Sequence, residues 1–589
     1  MTLTGHLREL VRPYRRRLVL IAACVLAAAA LELVPPLAVR HVVDTDLTRG
    51  RTDGLLAAAL ISLAATTGVA ALAAGYGYLA ATVAQRSLAG LRERLFAHLL
   101  ALPTGYHDTT PLGDSVSRAT ADVETIDDLF SSSVATLLGE LVRLGTVLTA
   151  MVVLSPVLTL TTVVVVPPLV VVTAVLRRRV RDAERATRRA VGGLNTRLAD
   201  DLAGVEVIRA FGRQEAFGER FRLALTGWLS AANRSVLFNS FYAPSLAVLA
   251  ALVTALLLVR GVSVSVGTLT AFVLLFGRFF APLVALGDEW QSVQAALAGA
   301  ERVFAVLDLP ADVVLSPGPM GDGDPVLVDP VLGDPVLVDS VVFGYLPGRA
   351  VLHEVSLVVP PGRHVALIGR TGAGKSSVLS LLGGLYAPWS GQVRLCGRDP
   401  RTLDDAERRR LLGVVPQAVA LFPGTVSDNI TLGDPSIGAA EVERAARIAG
   451  ADRFVATLPE GYATVLSGAG RGGGVQLSAG QRQLLALARA VVTRPRVLLL
   501  DEATAVVDGA SDAAFRAALR ERVLPGGTAV LTVAHRLATA READHVVLLD
   551  AGRVVEQGPP ELLLAAGGRF AALVALEQAG WDWSGEATG

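Results

Sequence analysis

The sequence predicts two fold classes in one chain: a six-helix α-helical transmembrane domain, then an α/β domain built around a phosphate-binding loop. Three observations carry this. Long apolar blocks fill the chain up to about residue 285, and the rest reads as a globular α/β protein. Hydrophobic residues make up 52%, and the mean hydropathy of +0.50 is too high for an ordinary soluble enzyme. The only lysine, Lys375, sits in a glycine-rich turn, while every other cation among the 54 Lys and Arg is an arginine.

A bilayer core needs about 20 apolar residues per helix. Six stretches qualify: Leu18–Val39, Leu55–Ala84, Val134–Leu154, Leu158–Leu176, Phe241–Val259 and Thr268–Leu286. The first follows Arg15-Arg16-Arg17 as a signal peptide would, but it is too long for an h-region and more spans follow, so it reads as a retained helix. Loops after spans 1, 3 and 5 are short. Those after spans 2 and 4 are long and arginine-rich, as in Arg177-Arg178-Arg179 and Arg188-Arg189. With Arg8, Arg12 and Arg15 to Arg17 before span 1, the positive-inside rule puts both termini and both long loops in the cytoplasm, and the chain is expected in the plasma membrane. The long loops keep helical periodicity, as in Leu91, Leu95, His98, Leu99 and Leu102, and read as helical hairpins extending spans 2–3 and 4–5. Their tips are expected near Tyr106–Asp114, where Pro103, Gly105, Pro111 and Gly113 interrupt the helix, and near Val207–Glu215.

Span 6 is expected to run on to about Leu307. A Pro/Gly/Asp-rich stretch follows, with the near-duplicates Asp324 to Asp329 and Asp334 to Asp339. The predicted organisation is a membrane domain over 1–307, a linker over 308–335, the nucleotide domain over 336–578 and a tail over 579–589. Net charge is near zero, which argues against a nucleic-acid partner. Cys24 and Cys396 fall in a membrane span and in the nucleotide half, so a disulfide is not expected and a reducing cytoplasm fits.

Gly369-Arg370-Thr371-Gly372-Ala373-Gly374-Lys375-Ser376 fits the phosphate-loop pattern. The apolar run His364 to Ile368 precedes it as a buried strand would, and Ser376 to Leu382 follows as a helix whose N-terminus faces the phosphates. Lysine suits this place because an ammonium is a compact charge, whereas a guanidinium is a wide planar fork. Gly369 through Ser377 are the candidate nucleotide-binding residues. Val497 to Leu500 reads as a second buried strand, ending in Asp501 and Glu502. Asp501 would hold Mg²⁺ with Ser376, and Glu502 would polarise the attacking water. Upstream, Leu477-Ser478-Ala479-Gly480-Gln481-Arg482-Gln483 opens a helix whose small, hydroxyl-bearing start suits a terminal phosphate. Taken alone, it would equally serve as an ordinary N-cap.

Together these residues closely resemble the ATP-binding cassette (ABC) family, whose signature is LSGGQ. On that resemblance Tyr345 is the aromatic that stacks on adenine, and Gln417 the Q-loop glutamine that touches Mg²⁺ and water. Asp508 is similar to the D-loop aspartate, and His535 to the switch histidine that contacts the γ-phosphate. Ser478, Ala479, Gly480 and Gln481 form the signature that faces the nucleotide of a partner. Leu95 to Pro103 and Gly204 to Gly212 look like the two intracellular loops of exporter-type half-transporters, so the resemblance covers nearly the whole chain. It implies an ATP- and Mg²⁺-dependent transporter working by alternating access, paired with a second half-transporter as a homodimer or heterodimer. An amphipathic drug, lipid or peptide is the leading export cargo. A siderophore-type importer and an ATP-gated channel or regulator are the alternatives. No peptidase domain precedes span 1, so leader cleavage is not expected. The chain departs from the family at Ala479, which replaces the first signature glycine, and in the D-loop Ala505-Val506-Val507-Asp508. The loose segment Ser467 to Gly474 stands where the family has a glutamate-containing X-loop.

Within the spans lie Glu32, Glu140, Arg143 and Arg278. Intramembrane charges are functional candidates. Glu140 and Arg143, one turn apart, are expected to neutralise each other. Arg278 is expected to face the cavity and meet anionic or zwitterionic cargo, with Phe276, Phe279 and Phe280 lining the apolar part. The competing reading pairs it with Glu140.

Overall fold

The computed structural model describes residues 3–52, 54–128, 134–261, 264–311, 334–467, 474–501, 509–534 and 537–579. The chain divides into two compact units. One comprises residues 1–101 and 111–311, and the other residues 102–110 and 312–589.

The first unit is helical. Arg15–Leu31 and Val34–His41 are separated by a break at Glu32-Leu33, just before the pair Pro35-Pro36. Four helices are far longer than a membrane is thick: Leu55–Ala101, Pro156–Ala203, Gln214–Arg260 and Val266–Leu307. At 1.5 Å per residue, the 47 residues of Leu55–Ala101 span about 70 Å, more than twice a hydrocarbon core of about 30 Å. The polar continuation, with Arg86, Arg92 and Arg94, accounts for the excess. Val134–Leu154 is the shorter member, with 21 residues.

Among the described residues, Arg8–Arg49, Leu55–Ala101 and Thr136–Leu154 are long and apolar enough to cross a membrane. Ala247–Arg260 and Val266–Phe279 are shorter apolar stretches within the helices Gln214–Arg260 and Val266–Leu307. Leu56, Leu60, Ile61 and Leu63 are exposed on Leu55–Ala101, as residues facing acyl chains would be. Helix starts are locally encoded. Ser155 and Ser265 cap the helices that follow them, accepting from the backbone N–H of Leu158 and Thr268. Phe272, Leu275, Phe276 and Phe279 pack with Val147, Met151, Leu158, Val253 and Leu257. Phe276 and Phe279 are therefore core residues, and the expectation that they line a cargo cavity is corrected. The side chain of Phe280 lies outside the described residues. The second hairpin turns through Gly204, the short helix Val205–Ala210 and Phe211 to Arg213.

The second unit is built on a six-stranded sheet. Its strands are β3 (His364–Ile368), β5 (Leu412–Val415), β8 (Val497–Asp501), β9 (Ala529–Val533), β10 (His545–Asp550) and β11 (Arg553–Gly558). Their order is β11-β10-β3-β9-β8-β5, parallel throughout except for the β10–β11 edge pair. The antiparallel sheet β2-β1-β4 is formed by β1 (Val336–Phe343), β2 (Leu352–Val359) and β4 (Ser390–Leu395). A short pair joins β6 (Gly424–Thr425) to β7 (Val465–Leu466). The second copy of the Asp-Pro-Val-Leu-Val-Asp repeat enters β1, whereas the first copy lies outside the described residues.

Side-chain parity explains the layering. Val365, Leu367, Val497, Leu499, Leu531 and Val533 point to the face shared with the antiparallel sheet and with Val378 and Leu382 of the phosphate-loop helix. Their alternates, Leu498, Leu500 and Val530, point to the face covered by Ala439–Ala449 and Ala479–Val491. Both faces are buried, so the strands read as continuous apolar runs.

Candidate functional site

The parallel strands run the same way, so the loops after β3, β5, β8 and β9 gather at one edge of the sheet. In an open α/β sheet, that carboxyl edge is where ligands bind. Val533 pairs with Asp501 on one side and Leu367 on the other, and Val415 pairs with Leu500. The phosphate loop, Gln417 and Asp501 therefore follow from adjacent strand ends. Glu502, Asp508 and His535 lie outside the described residues; in sequence, Glu502 directly follows Asp501 and His535 follows Ala534.

The phosphate loop is shaped by its glycines. Gly372 and Gly374 have φ of +82° and +98°. A Cβ on Gly369 would stand 2.1 Å from the Leu549 carbonyl oxygen, and one on Gly374 would stand 2.6 Å from Leu352. At Gly372 it would meet open space, so that glycine is needed for its left-handed conformation and not for room. The helix Lys375–Leu382 starts within this turn, so its first N–H groups face the loop. Lys375 is buried, and its Nζ donates to the carbonyls of Gly369 at 2.7 Å and Arg370 at 3.1 Å. The ammonium is held over its own loop, where a phosphate oxygen would replace those carbonyls. Arg370 and Thr371 are exposed beside it, and Ala373 is buried beneath. Ser376 and Asp501 share the lining of one cavity of about 730 Å³, with Pro416 next to Gln417. A hydroxyl and a carboxylate facing one space are hard oxygen donors that suit Mg²⁺ bound with phosphates. This glycine-cradled ammonium and donor set fit a magnesium nucleotide.

Tyr345 is about half exposed, and its hydroxyl lies 3.0 Å from the Ser377 Oγ. Its ring meets those of Phe343 and Tyr386 edge-on at 5.0 and 5.2 Å. The expected adenine-stacking residue is thus tied to the phosphate-loop helix with one side open. Tyr386 also donates its hydroxyl to the carboxylate of Asp108, in the 102–110 segment that belongs to this unit. Burial and the Asp108 hydrogen bond push the Tyr386 phenol up, so it stays a donor. Sequence reasoning missed Tyr386 and Asp108, because a lone tyrosine and a lone aspartate 278 positions apart carry no pattern.

Ser478 caps Ala479–Val491 in a closed capping box. Its Oγ accepts from the Gln481 N–H at 3.2 Å, while Gln481 Oε1 accepts from the Ser478 N–H at 2.9 Å. Ser478 and Ala479 are exposed, Gly480 is half-buried, and Ala479 continues the helix as a glycine there would. The same helix carries Arg489, another residue that sequence reasoning passed over. Arg489 donates to the carbonyls of Asn429 at 2.8 Å and Ala420 at 3.1 Å, and its guanidinium lies 5.8 Å from the Phe422 ring. It ties the signature helix to the segment that follows Gln417. Of the glycine-rich stretch before the signature, residues 468–473 lie outside the described residues, and Ser467 donates its backbone N–H to Val475 at 3.3 Å.

A phosphate loop at the carboxyl edge of a parallel sheet, in one chain with membrane-length helices, defines a membrane-embedded ATPase. Comparison with known proteins gives the family. Residues 18–283 match the model described as ABC transporter transmembrane region, and residues 352–505 that described as ABC transporter. An uncharacterized ABC transporter ATP-binding protein of Bacillus subtilis, YknV, is 31% identical over 97% of this chain and 93% of its own. A fatty acid ABC transporter ATP-binding/permease protein of Mycobacterium bovis is 34% identical over 82% of this chain and 76% of its own. The structure of a bacterial Atm1-family ABC exporter with ATP bound superimposes with a TM-score of 0.77 at 28% identity, covering 96% of this chain and 98% of that one. The chain belongs to the ABC transporter family. It is an ATP-hydrolysing, membrane-spanning exporter with the half-transporter fold, and that fold implies a dimer.

Proposed function

We propose that the chain exports an amphipathic, lipid-like compound from the cytoplasm, as one half of a dimer that closes head-to-tail around two Mg²⁺-ATP. The phosphate-loop geometry carries this reading: Lys375 held by its own glycine turn, with Ser376 and Asp501 lining one cavity. Residues Gly369 to Ser377 cradle the phosphates, Tyr345 stacks on adenine, and Ser376, Gln417 and Asp501 hold Mg²⁺, which neutralises phosphate charge when bound. Glu502 orients the attacking water and His535 contacts the γ-phosphate. Ser478 to Gln481 meet the nucleotide held by the other half, and Asp508 serves as the D-loop aspartate. Release of the hydrolysed phosphate removes the bridge between halves and resets a bistable interface.

The arginines of the long loops support a plasma-membrane topology with both termini and the cassette in the cytoplasm. The functional division is 1–307 for the membrane path, 308–335 for the linker, 336–578 for the cassette and 579–589 for the tail. The name of the mycobacterial relative supports a lipid-like cargo. The partner is a second copy or a related half-transporter, and native mass of the chain expressed alone distinguishes them. The function is tested in sealed inside-out vesicles with a fluorescent fatty-acyl probe. ATP-dependent probe accumulation supports export. ATP-driven loss of a preloaded ferric siderophore would instead show import, and conductance uncoupled from ATPase would show a channel.

A further inference from the structure

The charges Glu32, Glu140, Arg143 and Arg278 within the spans are arranged around a backbone defect. An α-helix satisfies each carbonyl with the N–H four residues on. Pro35 and Pro36 have no N–H, so the carbonyls of Leu31 and Glu32 lose their intrahelical donors. The chain stays close to helical at Glu32 and Leu33, with ψ of −21° and −20°, and helical pairing resumes with the Leu37 N–H on the Leu33 carbonyl. A carbonyl orphaned at membrane depth has no water to turn to, and a neighbouring helix must supply a donor.

That donor is Arg278, whose Nη1 bonds the Glu32 carbonyl oxygen. The Glu32 carboxylate is taken by Arg143 Nη2 at 2.5 Å, and Arg143 Nη1 lies 3.9 Å from Glu140. One residue at the break of span 1 is thereby clasped from Val134–Leu154 by its side chain and from Val266–Leu307 by its main chain. The four charges sum to zero, so the cluster asks for no ionic cargo. The expected internal partner of Arg278 was Glu140; the structure gives Glu32, and the cargo-facing role for Arg278 is corrected.

We infer that Arg278 is a positioning residue that replaces the N–H missing at Pro36 and sets the break in span 1 relative to spans 3 and 6. The helix bearing it runs without interruption to Leu307, the end that leads into the linker, so the clasp ties the shape of span 1 to that helix.

The role depends on a donor N–H and on Pro36, not on positive charge. The full chain in lipid nanodiscs is compared as wild type, Arg278→Ala, Arg278→Gln, Pro36→Ala and the double variant Pro36→Ala/Arg278→Ala. Thermal melting and amide exchange over residues 33–41 are read. Arg278→Ala should speed exchange there about tenfold or more and lower the melting temperature. Arg278→Gln, which keeps an N–H without charge, should stay within about threefold of wild type. Adding Arg278→Ala to Pro36→Ala should cost far less than adding it to wild type, because an alanine in place of the proline supplies its own N–H. Damage by Arg278→Gln equal to that by Arg278→Ala, or an undiminished effect of Arg278→Ala in the Pro36→Ala background, would overturn the inference. Should Arg278→Ala fail to assemble, recovery of assembly in Arg278→Gln and in the double variant supports the inference, and failure of both overturns it.

Discussion

Lys375→Arg is the most informative conservative change in the cassette. Every other cation is already arginine, so a tolerant site would have no reason to differ. The Nζ sits 2.7 and 3.1 Å from two carbonyls of its own loop and is almost fully buried. A guanidinium adds bulk where the turn is already closed. Gly369 cannot give way, because its backbone lies against the Leu549 carbonyl. Overpacking of this kind costs about 1–3 kcal/mol, and a misplaced charge-assisted contact to phosphate about as much again, so nucleotide affinity should fall by roughly 10²-fold. Equilibrium binding of a fluorescent ATP analogue to the purified full chain measures it, with Lys375→Ala as a size-relieved control. An affinity for Lys375→Arg within about threefold of wild type would refute the packing argument.

His364 is buried against Thr532, and burial lowers its pKa to about 4 from the usual 6.5. The unfolded chain then binds a proton between those values that the folded chain does not. Stability is full above about pH 6.5 and falls as the pH drops towards 4, by up to about 2 kcal/mol at pH 5. Thermal melting at pH 7.5 and 5 should show the loss, and His364→Gln should flatten it. Tyr345→Ala should weaken binding of ATP more than that of inorganic triphosphate, while Tyr345→Phe should keep most of the affinity; competition binding separates them. Asp122 is buried and receives two bonds from Arg302, so Arg302→Ala should destabilise the membrane domain by about 1–3 kcal/mol through the stranded carboxylate. Arg302→Lys should recover part of the loss in a melting experiment.

The nucleotide site was legible because it is local. Gly369 to Ser376, Asp501 after an apolar run and Ser478 before an amphipathic helix each carry their chemistry in a contiguous string. The phosphate loop and Asp501 come together through parallel strand order, whereas Ser478 starts a helix that follows no strand of that sheet. Spans were legible from apolar length, although only part of each long helix is apolar: Leu55–Ala101 and Gln214–Arg260 change composition midway without changing conformation. The contacts that cross the fold were not legible. Nothing near Arg278 in sequence names Glu32, 246 positions away, and nothing near Tyr386 names Asp108. Reading Phe276 and Phe279 as cavity walls failed for the same reason, since one helix pattern serves a lipid face, a cavity or a protein core.

Hydrolysis by Glu502→Gln in the reconstituted full chain tests the central claim most directly. Loss of the proposed water-orienting carboxylate should slow ATP turnover at the chain's own phosphate loop by roughly 10²-fold or more while leaving binding intact. ATP should therefore remain on the protein through gel filtration, and the dimer should be trapped closed. Wild-type turnover by that variant would contradict the account, removing Glu502 from catalysis and with it the proposed hydrolytic reset.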